Sequence, residues 1–244
     1  MISIQEGAFA YSDVSSNAPA ANYPASIAAG DILLWIVRGS TSTTITPPTG
    51  FGATPIASFV DDNTGGSVVR IYGKDADGTE TGVASGSFGS TYTTWGAVCT
   101  RISGAGNLAS IVSLLGLYHY LGYLSITTFA VTTGVISKPA SGNGIYFIGF
   151  PRGVSGNNAV MSLASGIAGF TDLQFADSGK GNGFYSAYKL NDGSSGNISY
   201  TANVSTNGSD TYSAAGIAIF LNDPSYVPPA TKPLLQMLSN QGGF

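Results

Sequence analysis

Gly30-Asp31-Ile32-Leu33-Leu34-Trp35-Ile36-Val37 decides the fold class of this chain. The run from Ile32 to Val37 is apolar at every position, so a strand built from it needs cover on both faces. Around it, short stretches rich in Val, Ile, Tyr, Phe, Trp and Thr recur between clusters of Gly, Asn, Asp, Ser and Pro. That is the pattern of a β-sandwich or barrel. Strands are expected at 32–37, 67–72, 84–88, 95–102, 144–150, 183–190, 197–204 and 212–220. In Val69-Arg70-Ile71-Tyr72-Gly73-Lys74 every second residue is polar, which predicts a strand with one wet face. Convincing helical periodicity with caps is absent, although 108–124 leaves room for a short helix and 233–238 for a single turn.

The apolar run has an echo. Pro24-Ala25-Ser26 precedes Gly30-Asp31, and Pro139-Ala140-Ser141 precedes Gly142-Asn143 and the run Ile145-Tyr146-Phe147-Ile148. Gly50-Phe51 corresponds to Gly169-Phe170. Tyr72-Gly73-Lys74 leading to Asp77-Gly78 corresponds to Tyr188-Lys189 leading to Asp192-Gly193, and Trp95 to Tyr212. The matches fall in one order, 115 to 119 residues apart. Two such halves would each expose an apolar face, and pairing them face to face removes both. The expected fold is therefore an all-β antiparallel sandwich, jelly-roll-like, of roughly eight principal strands. It would occupy 1–223, with half-repeats at 8–104 and 132–223, an apolar connector at 105–131 and an extended C-terminal arm at 224–244. Two separate small domains are the lesser alternative.

Composition narrows the function classes. Only 9% of the 244 residues are charged, with nine Lys and Arg against 13 Asp and Glu. About a quarter is usual for a soluble domain. The net charge of −4 and the scattered basic residues leave no stripe for phosphates, so no nucleic-acid partner is expected. With 43% apolar residues the chain is too hydrophobic for disorder, and its 34 glycines lack the collagen period. A lone cysteine, Cys99, and a lone histidine, His119, exclude a disulfide framework and nearly every thiolate or imidazole metal site. The first residues, Met1 to Glu6, carry no signal-peptide pattern, and synthesis in a cytoplasm is expected. The stretch 108–131 is long and uncharged enough to test as a membrane span, but its serines, threonines and glycines favour a buried or interfacial connector. No membrane partner is expected.

Chemical motifs are thin. Asp75-Ala76-Asp77-Gly78-Thr79-Glu80 brings three carboxylates together and could suit calcium, but it lacks the twelve-residue loop, and a solvated hairpin is the simpler reading. His119 has no carboxylate within a dozen residues, so a nucleophilic triad has no support in the sequence. Asp61-Asp62 runs into Asn63-Thr64-Gly65-Gly66, a turn rather than a glycosidase pair. Gly179-Lys180-Gly181-Asn182-Gly183 lacks the ending of a phosphate loop and reads as a flexible loop. No catalytic residue, cofactor or metal is expected.

Two segments have the composition of partner surfaces. The connector carries Tyr118, Tyr120, Tyr123 and Phe129 among leucines and isoleucines, and it reads equally well as an interface or as strand and loop inside its own sandwich. The tail holds Pro224, Pro228, Pro229 and Pro233, which keep it extended. Leu234, Leu235, Met237, Leu238 and Phe244 follow, an apolar set suited to docking on a neighbouring subunit.

The order Gly30-Asp31-Ile32-Leu33-Leu34, Ile45-Thr46-Pro47-Pro48-Thr49-Gly50-Phe51, Val69-Arg70-Ile71-Tyr72-Gly73-Lys74 and Trp95-Gly96-Ala97-Val98 resembles β-sandwich structural proteins of tailed-bacteriophage virions. The resemblance spans about residues 8–223, rests on structural motifs, and departs at the connector and the tail. It implies a virion structural protein, foremost a capsid decoration protein that contacts the major capsid protein or other virion subunits. A homo-oligomer, for instance a trimer, is expected. The alternative is a tail, fibre or spike component binding host glycans, with Tyr23, Tyr92 and Tyr226 near turns.

Overall fold

The computed structural model describes residues 1–12, 16–39, 43–61, 66–89, 94–124, 127–153, 160–179, 181–207 and 210–224. The first half forms β1 (Ser3–Glu6), β2 (Ala10–Ser12), β3 (Ala20–Asn22), β4 (Ile32–Gly39), β5 (Ile45–Thr46), β6 (Ala57–Val60), β7 (Val68–Asp75), β8 (Val83–Ser85), β9 (Ser87–Phe88) and β10 (Trp95–Ser103). After a 3₁₀ turn at Leu108–Ser110 the second half forms β11 (Ile111–Leu124), β12 (Thr128–Thr132), β13 (Ile136–Ser137), β14 (Gly144–Gly153) and β15 (Met161–Ser165). It continues with β16 (Thr171–Asp177), β17 (Gly183–Lys189), β18 (Asn197–Ile198), β19 (Thr201–Thr206) and β20 (Asp210–Leu221).

Each half builds one main sheet, and the two have the same order. The first is β1-β10-β4-β7-β6, with β2 also on β10; the second is β11-β20-β14-β17-β16. All ladders are antiparallel. The sheets stack face to face over a central core that joins Ile32, Leu34 and Ile36 of β4 to Ile148, Phe150 and Ile217 of the other half.

Each main sheet is covered again on its far side. The pairs β3-β8 and β5-β9 close over Leu33, Trp35 and Val37. The ladders β12-β19-β15 and β13-β18 close over Ile145, Phe147 and Tyr185. The molecule is thus an all-β sandwich with an additional layer outside each sheet. This is why Ile32 to Val37 are all buried and why apolar residues stand on both parities of β14.

The added layers correct one expectation. Arg70, Tyr72 and Lys74 do not make a wet face, because Tyr72 is only 1% exposed, packed among the outer core beside Trp35. The segment 108–124, where a short helix had room, is instead one turn of 3₁₀ followed by a strand.

The repeat is legible in the turns. Phe51 N–H donates to Pro48 O, and Phe170 N–H to Ile167 O, both at 3.1 Å. Gly50 and Gly169 supply the positive φ, 88° and 78°, that such turns require. Trp95 and Tyr212 both face the outer cores. The tyrosine match is one residue out: Tyr72 faces the outer core, whereas Tyr188 packs against the central one. Strand side chains alternate faces, so a slip of one residue changes the side.

Close sheet packing is set by glycine at one crossing. A Cβ on Gly216 would lie 2.3 Å from the carbonyl oxygen of Thr132 on β12, and backbone cannot swing aside as a side chain can. At Gly52 the nearest atom to an added Cβ is 3.7 Å away. Gly216→Ala is expected to lower unfolding free energy by about 1–3 kcal/mol, and Gly52→Ala to stay within about 0.5 kcal/mol of the parent. Urea denaturation of the two variants checks this.

Candidate functional site

The longest strand of the molecule, β11, lies at a sheet edge. It has 14 residues, Ile-Val-Ser-Leu-Leu-Gly-Leu-Tyr-His-Tyr-Leu-Gly-Tyr-Leu, with no proline and no acidic, lysine or arginine side chain. It pairs with β20 along one edge, and among the described residues its other edge has no strand partner. At about 3.3 Å per residue it offers about 45 Å of backbone donors and acceptors. Val112 and Leu117 are each 38% exposed on it.

The other sheet edges differ. The edge strand β6 has only four residues, and β1 and β2 are separate short pieces on one edge of β10. The edge strand β16 carries Asp172 and Asp177 and a register irregularity after Asp172. Short length, charge and bulges are the usual devices that stop edges from pairing. β11 uses neither of the first two, and its bulges lie towards its ends, near Ile111 and Tyr120.

The residues expected to contact partners are placed as follows. Tyr118 is 2% exposed within the central core, and Phe129 is 5% exposed on β12, stacked on Tyr212 at a centroid distance of 4.8 Å. Of the two readings left open for the connector, these two side chains take the core one. The side chains of Tyr120 and Tyr123, and the tail with Leu234, Leu235, Met237, Leu238 and Phe244, lie outside the described residues, as do Tyr92 and Tyr226. Tyr23 is half-buried against the first outer core.

A polar seam joins the halves. Glu6 on β1 accepts from Tyr146 Oη and, at 2.7 Å, from Ser186 Oγ, both on the opposite sheet. Gln174 Nε2 reaches the same carboxylate at 3.4 Å, while Gln174 Oε1 accepts from Phe9 N–H at 2.9 Å. Thr100 Oγ1 lies 2.9 Å from Tyr146 Oη. Burial pushes the Glu6 carboxyl up to about 7, against the hydrogen bonds from Tyr146 and Ser186 that oppose the shift. At the far end of the seam, Arg38 of β4 donates to Asn182 Oδ1, and Arg152 of β14 donates to Ser67 Oγ at 2.7 Å. Each half sends an arginine into the other.

Sequence reading overlooked Glu6, though a signal was present. In Ile2-Ser3-Ile4-Gln5-Glu6 the glutamate shares the parity of the buried Ile2 and Ile4, and so points inward.

The remaining titratable candidates have structural partners. Asp75 Oδ1 accepts from Leu108 N–H at 2.6 Å, Asp77 Oδ1 accepts from Thr79 N–H at 2.8 Å, and Glu80 pairs with Lys74 at 2.6 Å. The three carboxylates thus turn to different donors, and among the described residues no cluster suited to a metal ion is present. Asp192 is buried between Lys189 at 2.9 Å and Lys138 at 3.5 Å. His119 stands on β11 opposite Ala214. Cys99 is wholly buried, and burial pushes its thiol up to about 12, so it is no nucleophile near neutrality. Among the described residues no helix is long and apolar enough to cross a membrane. The chain matches no protein-family model, no curated protein and no solved structure.

The seam makes stability pH-dependent. Folded protein binds a proton at Glu6 below about pH 7, whereas the unfolded chain does so only below about 4.5. This contribution is complete below pH 4.5 and is lost as pH rises through 7, about 3 kcal/mol in all. Glu6→Gln is expected to flatten the fall in denaturation midpoint between pH 5 and pH 8. A slope unchanged in the variant would assign the effect to other groups.

Proposed function

We propose that this chain is a structural subunit of an assembled particle, in the first place a capsid decoration protein of a tailed bacteriophage. The observation that carries the reading is the uncharged edge of β11, which has no strand partner among the described residues. A strand with one unpaired edge recruits another strand, main-chain hydrogen bonds giving affinity and flanking side chains giving register. A second copy of this chain brings the same edge, and pairing of like edges closes a symmetric assembly. Subunits held this way stabilise the particle by mass action, binding the assembled state in preference to the dissociated one. The motif order that resembles phage virion sandwiches supports the setting.

The alternative, a tail, fibre or spike component that binds host glycans, has one observation in its favour. An open cleft lies on the outer side of the first half, lined by Arg70 and several hydroxyl-bearing residues.

Lysines at Val112 and Leu117, two exposed positions of β11, separate assembly from folding. The pair Val112→Lys and Leu117→Lys is expected to leave the thermal midpoint within a few degrees of the parent while abolishing oligomers in sedimentation velocity and binding to undecorated heads. A parent chain that stays monomeric at every concentration and binds no heads would sink the proposal.

A further inference from the structure

The cleft arises where the two halves of the repeat differ. In the first half, Asp61 N–H donates to Ser67 O to close the hairpin of β6 and β7; in the second, Ser178 N–H donates to Asn182 O to close that of β16 and β17. Three residues out from these closures stand the cross-strand partners Ser58 and Arg70 in the first half, and Phe175 and Tyr185 in the second. Both pairs face the outer layer of their own half, Arg70 sharing the parity of Tyr72.

In the second half the site is filled. Tyr185 is wholly buried, its hydroxyl donating to Asp172 Oδ1, and Phe175, Leu163 and Ile167 pack around it. In the first half the same place is open among the described residues. A cleft of about 470 Å³ is lined by Thr43, Thr44, Ala53, Pro55, Ser58 and Arg70, with Tyr72 behind them. That volume falls within the range of small-molecule sites, about 300–1,000 Å³.

Its chemistry is selective. Arg70 Nη1 reaches Thr43 O at 3.3 Å, and the guanidinium also donates towards the Tyr72 hydroxyl; its remaining donors are left for other acceptors. Among the described residues no carboxylate pairs with Arg70. Tyr72 Oη donates to Ile45 O at 3.2 Å and so holds the floor in place. Thr44 and Ser58 are exposed at the rim, and Ala53 and Pro55 offer a small apolar wall. A half-buried guanidinium suits a planar carboxylate, which it engages through two parallel hydrogen bonds. Rim hydroxyls suit sugar hydroxyls, and the apolar wall suits the C–H face of a pyranose ring.

We propose that the cleft between Arg70, Ser58 and the 43–45 segment binds a carboxylate-bearing sugar, with Arg70 holding the carboxylate. The site needs only one copy of the chain and does not depend on the β11 edge, so its failure and that of the assembly reading are separable.

The test is an amide-shift titration of the full chain with D-glucuronate and with N-acetylneuraminate, run beside methyl glucoside and sodium sulfate. Saturable shifts at millimolar acidic sugar are expected at Thr43, Thr44, Ser58 and Arg70, with none from the neutral sugar. Arg70→Gln keeps an amide donor for Thr43 O and is expected to weaken binding about tenfold or more. Ser58→Phe leaves the guanidinium in place but closes the cleft as Phe175 does, and is expected to weaken binding similarly. The proposal is overturned if neither acidic sugar shifts these amides, if sulfate alone saturates the site as well as the sugars do, or if folded Ser58→Phe binds like the parent.

Discussion

Apolar packing on both faces of two main sheets is the constraint on which this molecule depends. β4 and β14 lie at the middle of their sheets, and each presents one row of side chains to the shared central core and the other to its own outer layer. At about 25 cal/mol per Å² of apolar surface, burial on this scale dominates every polar contact described. Low charge follows from the same geometry, since a four-layer stack leaves few positions that face water on the central strands.

Polar groups that enter the interface between the halves form a seam, and there they act as register marks. Glu6, Gln174, Tyr146 and Ser186 meet at one end, and Arg38 with Asn182 and Arg152 with Ser67 at the other. A sheet displaced by one strand position would leave these groups buried and unpaired, at a cost of about 1–3 kcal/mol each. Apolar contact brings the sheets together; the seam favours one alignment.

The matching order of the two sheets shows where the two halves differ. A common scaffold needs its central core in both copies, but edges and outer layers are free to change. One edge is the long strand β11 where the other half has the short β1 and β2, and one outer site holds Ser58 and Arg70 where the other holds Phe175 and Tyr185. The second difference lies in an outer layer, whereas β11 also sends Tyr118 into the central core.

The strand class, the face-to-face pairing and the equivalence of the halves were readable from the sequence because they depend on local signals. Ile32 to Val37 demands cover on both sides, and the turns at Gly50 and Gly169 need positive φ wherever the chain folds. Six expected strands correspond to observed ones with shifts of a few residues at their ends, whereas 84–88 and 197–204 each divide into two short strands of different sheets. What tertiary structure alone decided was which face each residue met. Tyr72 and Tyr188 look equivalent along the chain yet lie on opposite sides of their sheets, Tyr72 lies under an outer layer rather than on a wet face, and 111–124 takes the strand reading of the connector, at a sheet edge. Such outcomes turn on single-residue register and on neighbours far away in the chain, which local composition does not encode.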